Sequence, residues 1–260
     1  MVVETALDNG SASSIEKLFT SKGGKAIDYD RQVTGGSASV YVTFDGKKVG
    51  EAQATGVLAA MKAAGTYHGG TVAELWGGPT DQNAFWFKSG NDDILNPLFK
   101  AGKLKKGPQQ FVPDWDANNA ATIFQQMLVK TNNKIDGVIA ANDNIAGAVI
   151  ADLKAKGLSP LPLSGQDATS QGIQYILAGW QSGTVYKYVP NEANATAAAA
   201  VALLKGAMPK ANTFRLNGKK KEATITLPVT WITKANYTQL FTQGFLKKSE
   251  VCVGDYKQYC

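Results

Sequence analysis

At 260 residues the chain can bury one large core or two modest ones. Hydrophobic residues make up 44% and charged residues 18%, which excludes a disordered chain, and no apolar run approaches the ~18 residues of a membrane-spanning helix. The net charge of +6 lies partly in Lys103-Leu104-Lys105-Lys106, Lys219-Lys220-Lys221 and Lys247-Lys248. None of these is interleaved with aromatics and Arg is scarce, so they read as solvated surface, and no nucleic-acid partner is expected.

Val2 to Leu7 reads as a strand, Asp8-Asn9-Gly10 as a turn, and Ser14 to Phe19 as a helix closed by Gly23-Gly24. The first residues carry neither a basic stretch nor a cleavage pattern, so no signal peptide is expected in this chain. Lys25 to Arg31 gives a second strand with a charged end, and Ser39 to Phe44 a third. Val49 to Ala64 is a helix with Val49, Ala52, Val57 and Met61 along one side. Thr71 to Trp76 is a strand that runs into Gly77-Gly78-Pro79-Thr80-Asp81-Gln82-Asn83. A helix through Phe85 towards Leu98 and a basic link over Lys103 to Lys106 follow.

Gln110 to Pro113 reads as a short strand leading into Asp114-Trp115-Asp116, and Ala117 to Val129 as a helix. Ile135 to Ala141 is an apolar run of the kind buried on both faces. Ile145 to Lys156 has helical spacing with Gly157 as its stop, and Leu161 to Gly165 reads as the next strand. This β-α-β unit carries Asn142, Asp143 and Asp167 at strand carboxyl ends, where open parallel sheets bind ligands. Gly172 to Leu177 is a further helix, Gly183 to Tyr188 a strand and Asn194 to Leu204 an Ala-rich helix. Ala223 to Leu227 and Val229 to Ile232 read as strands in a looser segment. The β-α alternation places the chain in the α/β class with parallel sheets.

Phosphate-loop, dinucleotide and nucleophile-elbow motifs are absent. His68 is the only histidine and sits beside Gly69-Gly70, which suits a surface residue better than a catalytic or zinc-binding one. Asp114-x-Asp116-x-Asn118 lacks the Gly and Glu of a calcium loop, where Asn119 and Gln125 stand. No metal, cofactor or catalytic residue is therefore called for. Cys252 and Cys260 either close a small disulfide loop, which would imply an oxidising compartment, or are two unrelated thiols.

What remains is a series of polar groups at strand ends: Asp30-Arg31, Asn83, Lys88, Asn142-Asp143, Asp167 and Lys187, with Trp115 as the aromatic. Any one alone suits a helix cap or a turn. Together they match a sugar, whose hydroxyls donate to carboxylates and accept from Arg, Lys and Asn, and whose C–H face stacks on an indole.

The chain resembles the type I periplasmic sugar-binding proteins of ABC importers, the ribose/galactose/xylose-binding family, and is most similar to its xylose-binding branch. Tyr29-Asp30-Arg31, Val42 to Asp45, Lys48 to Glu51, Gly77 to Ala84, Asn133 to Asp136, Ala141 to Asp143, Ser164 to Ala168 and Thr184 to Lys187 carry the resemblance, in the family's order. It implies two lobes, each an open, mostly parallel sheet flanked by helices, with a sugar held between them. Residues 1–43 and 187–232 would form the first lobe, 44–186 the second, and 233–260 a tail crossing back. The sugar ligands it implies are Asp30, Arg31, Asn83, Lys88, Trp115, Asn142, Asp167 and Lys187, with Asp143 following a ligand. Lys88 stands where the family has Arg.

The implied function is capture of a monosaccharide, D-xylose or a related pentose or hexose, and delivery to a membrane permease in the periplasm or at the cell surface. The family opens with about two further β-α units, so the first lobe is expected to be incomplete, through truncation or because another chain supplies them. Val2 to Leu7 would then offer an unpaired edge for self-association. A sugar-responsive transcription regulator is the first alternative, and it would need a helix-turn-helix before the strand and helix of residues 1–20. A glycosidase using two of Asp30, Asp143 and Asp167 is the other, disfavoured by the cations among them.

Overall fold

The computed structural model describes residues 1–260. The chain opens with β1 (Val2–Glu4) and α1 (Asn9–Ser21). The helix starts five residues earlier than expected because the Asp8 side chain caps it, accepting from Ser11 N at 2.8 Å. β2 (Ala26–Tyr29), β3 (Val40–Phe44), α2 (Gly46–Ala63), β4 (Thr71–Trp76) and α3 (Gln82–Lys100) follow. β5 (Lys105–Phe111) begins inside the cluster expected to be a link. It is an edge strand, and lysines with Pro108 are what a soluble protein places on an edge.

After a 3₁₀ turn at Pro113–Trp115 come α4 (Ala117–Lys130), β6 (Gly137–Ala140), α5 (Asp143–Ala155), α6 (Ser170–Leu177) and β7 (Thr184–Tyr186). Between α5 and α6, the strand expected over Leu161 to Gly165 is reduced to two parallel bridges, Val138 with Leu163 and Gln166 with Val185. Pro162 has no N–H to give, and the Ser164 hydroxyl replaces a ladder rung by bonding both Ala140 N (2.9 Å) and Ala140 O (3.0 Å). α7 (Val189–Leu204) starts earlier than expected, with Pro190 in its first turn. β8 (Thr213–Asn217) and β9 (Lys220–Leu227) form a hairpin turning at Gly218, whose φ is 61°. β10 (Thr230–Ile232), α8 (Gln239–Thr242) and α9 (Lys248–Val251) follow, then a 3₁₀ turn at Gly254–Tyr259, and Cys252 is disulfide-bonded to Cys260.

The residues divide into two compact units. Unit one is Met1–Gly46, Thr80–Phe85 and Tyr188–Val229; unit two is Lys47–Pro79, Trp86–Lys187 and Thr230–Cys260. Residues 80–85, expected with the second lobe, thus group with unit one.

Unit one is built on the sheet β1-β2-β3-β9-β8, parallel except for the final pair. Ile27, Val40 and Val42 pack against Ala199 and Leu203 of α7, while Ala6, Ala12 and Val33 form a smaller cluster. Three carboxylates meet inside this unit: Glu16 on α1, Asp28 on β2 and Glu222 on β9, all buried. One oxygen of each is bonded, Glu16 Oε2 by Ser37 N, Asp28 Oδ2 by Val33 N, and Glu222 Oε2 by Gln32 and Asn217. Burial, together with a hydrogen bond to Glu16, pushes the Asp28 carboxyl up to about 10. Burial also raises Glu222.

Unit two centres on the parallel sheet β5-β4-β6, extended through Leu163 and Gln166 to the antiparallel pair β7-β10. Both faces are covered, which explains the apolar run of β6 and of β4 apart from its buried Glu74. Leu75, Val138 and Ala140 pack with Phe124 of α4 and Ile150 of α5, and Val72 and Ile139 with Val57 and Met61 of α2 and Leu95 of α3.

Candidate functional site

In unit one, Asp30 and Arg31 stand at the carboxyl end of β2, and Asn83 in the first turn of α3. Asp30 has φ 61°, a left-handed backbone that Asp tolerates better than most residues. Three donors hold its carbonyl: Tyr41 Oη (2.9 Å), Thr43 Oγ1 (3.0 Å) and Asn83 Nδ2 (3.0 Å). Burial drives the Tyr41 phenol well above its ordinary value, so it stays a donor. The Arg31 guanidinium is anchored by Asp81, with Nε 2.9 Å from Oδ2 as an ion pair outside hydrogen-bond alignment, and by Nη1 donating to Ala6 O at 3.2 Å. Asp81 Oδ1 also accepts from Asn83 N at 2.9 Å. The structure therefore brings Asp30, Arg31 and Asn83 into one network. It adds Asp81, Tyr41 and Thr43, which sequence reasoning missed. Asp81 lies in the stretch 77–83 that the sequence singled out, but its burial and its reach to Arg31 are set by long-range packing.

In unit two the predicted groups again sit at strand carboxyl ends: Trp115 after β5, Asn142 after β6, Asp167 after the bridge at Gln166, and Lys187 after β7. Lys187 Nζ is 3.7 Å from Asp167 Oδ1. Asn142 caps α5, its Oδ1 accepting from Ile145 N at 2.9 Å. Trp115 has φ 57° and lays its indole on Gly77, where a Cβ would collide with the ring, and beside Phe87 at 6.1 Å. This accounts for the Gly77-Gly78 pair. The Trp115 Nε1 is buried without a protein partner.

Lys88 is held separately, paired with Asp92 one turn along α3 and with its ammonium 4.7 Å from the Trp76 ring centroid. Trp76 Nε1 donates to the buried Glu74 at 3.0 Å, and burial raises the Glu74 carboxyl. Asp143, left aside as a ligand, is buried with both oxygens occupied: Oδ1 accepts from Gln181 Nε2 (2.9 Å), and Oδ2 from Thr169 N (2.8 Å) and Thr169 Oγ1 (3.1 Å). His68 is exposed, as its place beside Gly69-Gly70 suggested, and Asp116 spends its carboxylate on capping α4.

Acids and bases paired at the carboxyl ends of parallel strands, within a doubly covered α/β framework, are what binding proteins present to polar, uncharged ligands. Residues 1–208 match the sequence profile described as periplasmic binding protein domain. The chain belongs to the periplasmic binding protein family, type I. It is 37% identical over 241 residues, 92% of its length and 71% of the relative's, to the D-xylose-binding periplasmic protein of Escherichia coli K12. It is 36% identical to the protein of the same name from Haemophilus influenzae, over 88% of this chain and 68% of that one. Among solved structures, a carbohydrate transporter solute binding protein from Chloroflexus aurantiacus, in complex with D-glucose, matches with a TM-score of 0.87 and 27% identity. The match covers 95% of this chain and 80% of that one.

Proposed function

We propose that the chain is the sugar-binding component of an ABC importer, taking a monosaccharide such as D-xylose and delivering it to a membrane permease outside the cytoplasm. Its sugar ligands are Asp30, Arg31 and Asn83 of unit one, and Lys88, Trp115, Asn142, Asp167 and Lys187 of unit two. The observation that carries this reading is the pairing of Arg31 with Asp81 and of Lys187 with Asp167. Each pair offers donors and acceptors together while remaining near neutrality, as an uncharged polyol requires. The xylose-binding relatives support the sugar class, and the Cys252–Cys260 disulfide supports an oxidising, extracytoplasmic compartment.

The same pairing argues against glycoside hydrolysis, which needs one carboxyl group facing the leaving group, whereas each of these is set against a cation. Titrating D-xylose, L-arabinose, D-ribose, D-glucose and D-galactose against tryptophan emission tests the reading. Saturable binding of one or more sugars without turnover of aryl glycosides is the expected result. No binding across that panel, or turnover, would overturn it.

A further inference from the structure

We infer that Asp143 is a positioning residue: its carboxylate fixes the Gln166–Thr169 loop and so sets the orientation of Asp167 towards the sugar. This rests on the sugar-binding reading of Asp167 above.

The loop needs such a device. Asp167 and Ala168 both have positive φ, 94° and 50°, and two consecutive left-handed residues other than Gly persist only where their surroundings over-determine them. The backbone of Asp143 donates to Gln166 O at 3.0 Å, before the strained pair. Its side chain accepts from Thr169 N and Oγ1, after the pair. Between these, Asp167 N donates to Val185 O (2.8 Å) and Ala168 N to Thr184 Oγ1 (3.2 Å). Thr169 Oγ1 in turn accepts from Gly172 N at 3.0 Å, capping α6, so the carboxylate also locates that helix.

The chain clears space for the group on two sides. A Cβ at Gly165 or at Gly172 would collide with Asp143 carboxylate oxygens. On the third side stands Gln181, which donates to Asp143 and also to Gly183 O at 3.1 Å, just before β7. Asp167 is the one charged group acting on Asp143, and Lys187 stands beside Asp167; the other groups around it, from Gln181, Thr169 and Thr184, are neutral.

Burial, opposed by these hydrogen bonds, places the Asp143 carboxyl at about 7. Ionised, it accepts from three donors. A proton on Oδ1 faces the Gln181 amide, which must turn and release Gly183; a proton on Oδ2 displaces a Thr169 donor. Either loosens the loop, so sugar affinity falls as pH drops below about 7. Fold stability moves the other way. The folded-state value is raised, so this group's contribution is full below its unfolded value and is lost as pH rises towards 7. A merely structural carboxyl would not produce these opposite trends.

The test measures D-xylose affinity from pH 5.5 to 8.5 for the wild type and Asp143→Asn. Alongside it, amide-exchange protection of residues 167–172 is followed without sugar. Wild-type affinity should weaken on the acid side, by at most ~10-fold per pH unit for one linked proton. Protection should fall with it. Asp143→Asn, which keeps an oxygen for Thr169 and can bond a turned Gln181, should fold and lose both pH dependences. Asp143→Ala should lose protection at every pH. Wild-type pH profiles retained in Asp143→Asn would overturn the inference. If no sugar binds yet protection responds as described, the loop clamp stands and the sugar reading fails instead.

Discussion

Asp30 shows why substitutions in this site must be chosen by backbone as well as by chemistry. Its carbonyl is held by Tyr41, Thr43 and Asn83 in a left-handed conformation, so Asp30→Ala removes the carboxylate and adds backbone strain. Asp30→Asn tolerates the same backbone and isolates the loss of charge. Both should weaken sugar binding in a tryptophan-emission titration, with Ala the worse, and wild-type affinity in Asp30→Asn would remove the carboxylate from the site. Asp81→Asn should weaken binding by about 1–3 kcal/mol, because Arg31 would lose the anion that orients it. Lys88→Arg should bind as well or more tightly. A guanidinium can stay paired with Asp92, stack on Trp76 and still present a second donor edge. A clear loss there would mean the pocket is shaped around the ammonium. At this scale the sequence pointed to the residue types, since Asp, Arg, Asn and Lys after strands are conspicuous. Their anchors were harder to see, because Asp81 and Tyr41 meet Arg31 and Asp30 only through long-range packing.

Element by element, the regular strands and helices were legible because apolar runs and helical spacing follow from two-sided burial of a parallel sheet. Three departures have local causes. Leu161 to Gly165 has a strand's composition, but Pro162 and the Ser164 hydroxyl break the ladder there. β5 looked like a link because its first residues are lysines, a composition that belongs to an edge. β8 was missed although Asn217-Gly218 is a recognised hairpin turn, because its alternation of Phe214 and Leu216 leaves both exposed.

For the whole molecule, stability should depend on pH chiefly through unit one. Glu16, Asp28 and Glu222 join α1, β2 and β9 inside it, one oxygen of each held by a donor from outside the trio, with Asp28 also hydrogen-bonded to Glu16. Three buried carboxylates cannot all be ionised at that density, so protons must be retained among them. Asp28, pushed up to about 10, is the group that keeps one at neutral pH. A folded-state value above the unfolded one means that the stabilisation is complete below about pH 4 and declines as pH rises towards 10. The decline is at most about 1.4 kcal/mol per pH unit for one proton. Asp143 in unit two ceases to contribute above about 7. Between pH 7.5 and 9.5, then, unit one should go on losing stability from Asp28 while unit two no longer does so from Asp143. Amide exchange read separately over residues 26–44 and 137–153 should show protection falling in the first segment and holding in the second. Asp28→Asn keeps an oxygen for Val33 N and has no charge to acquire, so it should flatten the first trend. Equal losses in both segments, or an unchanged slope in Asp28→Asn, would show that the alkaline sensitivity arises elsewhere.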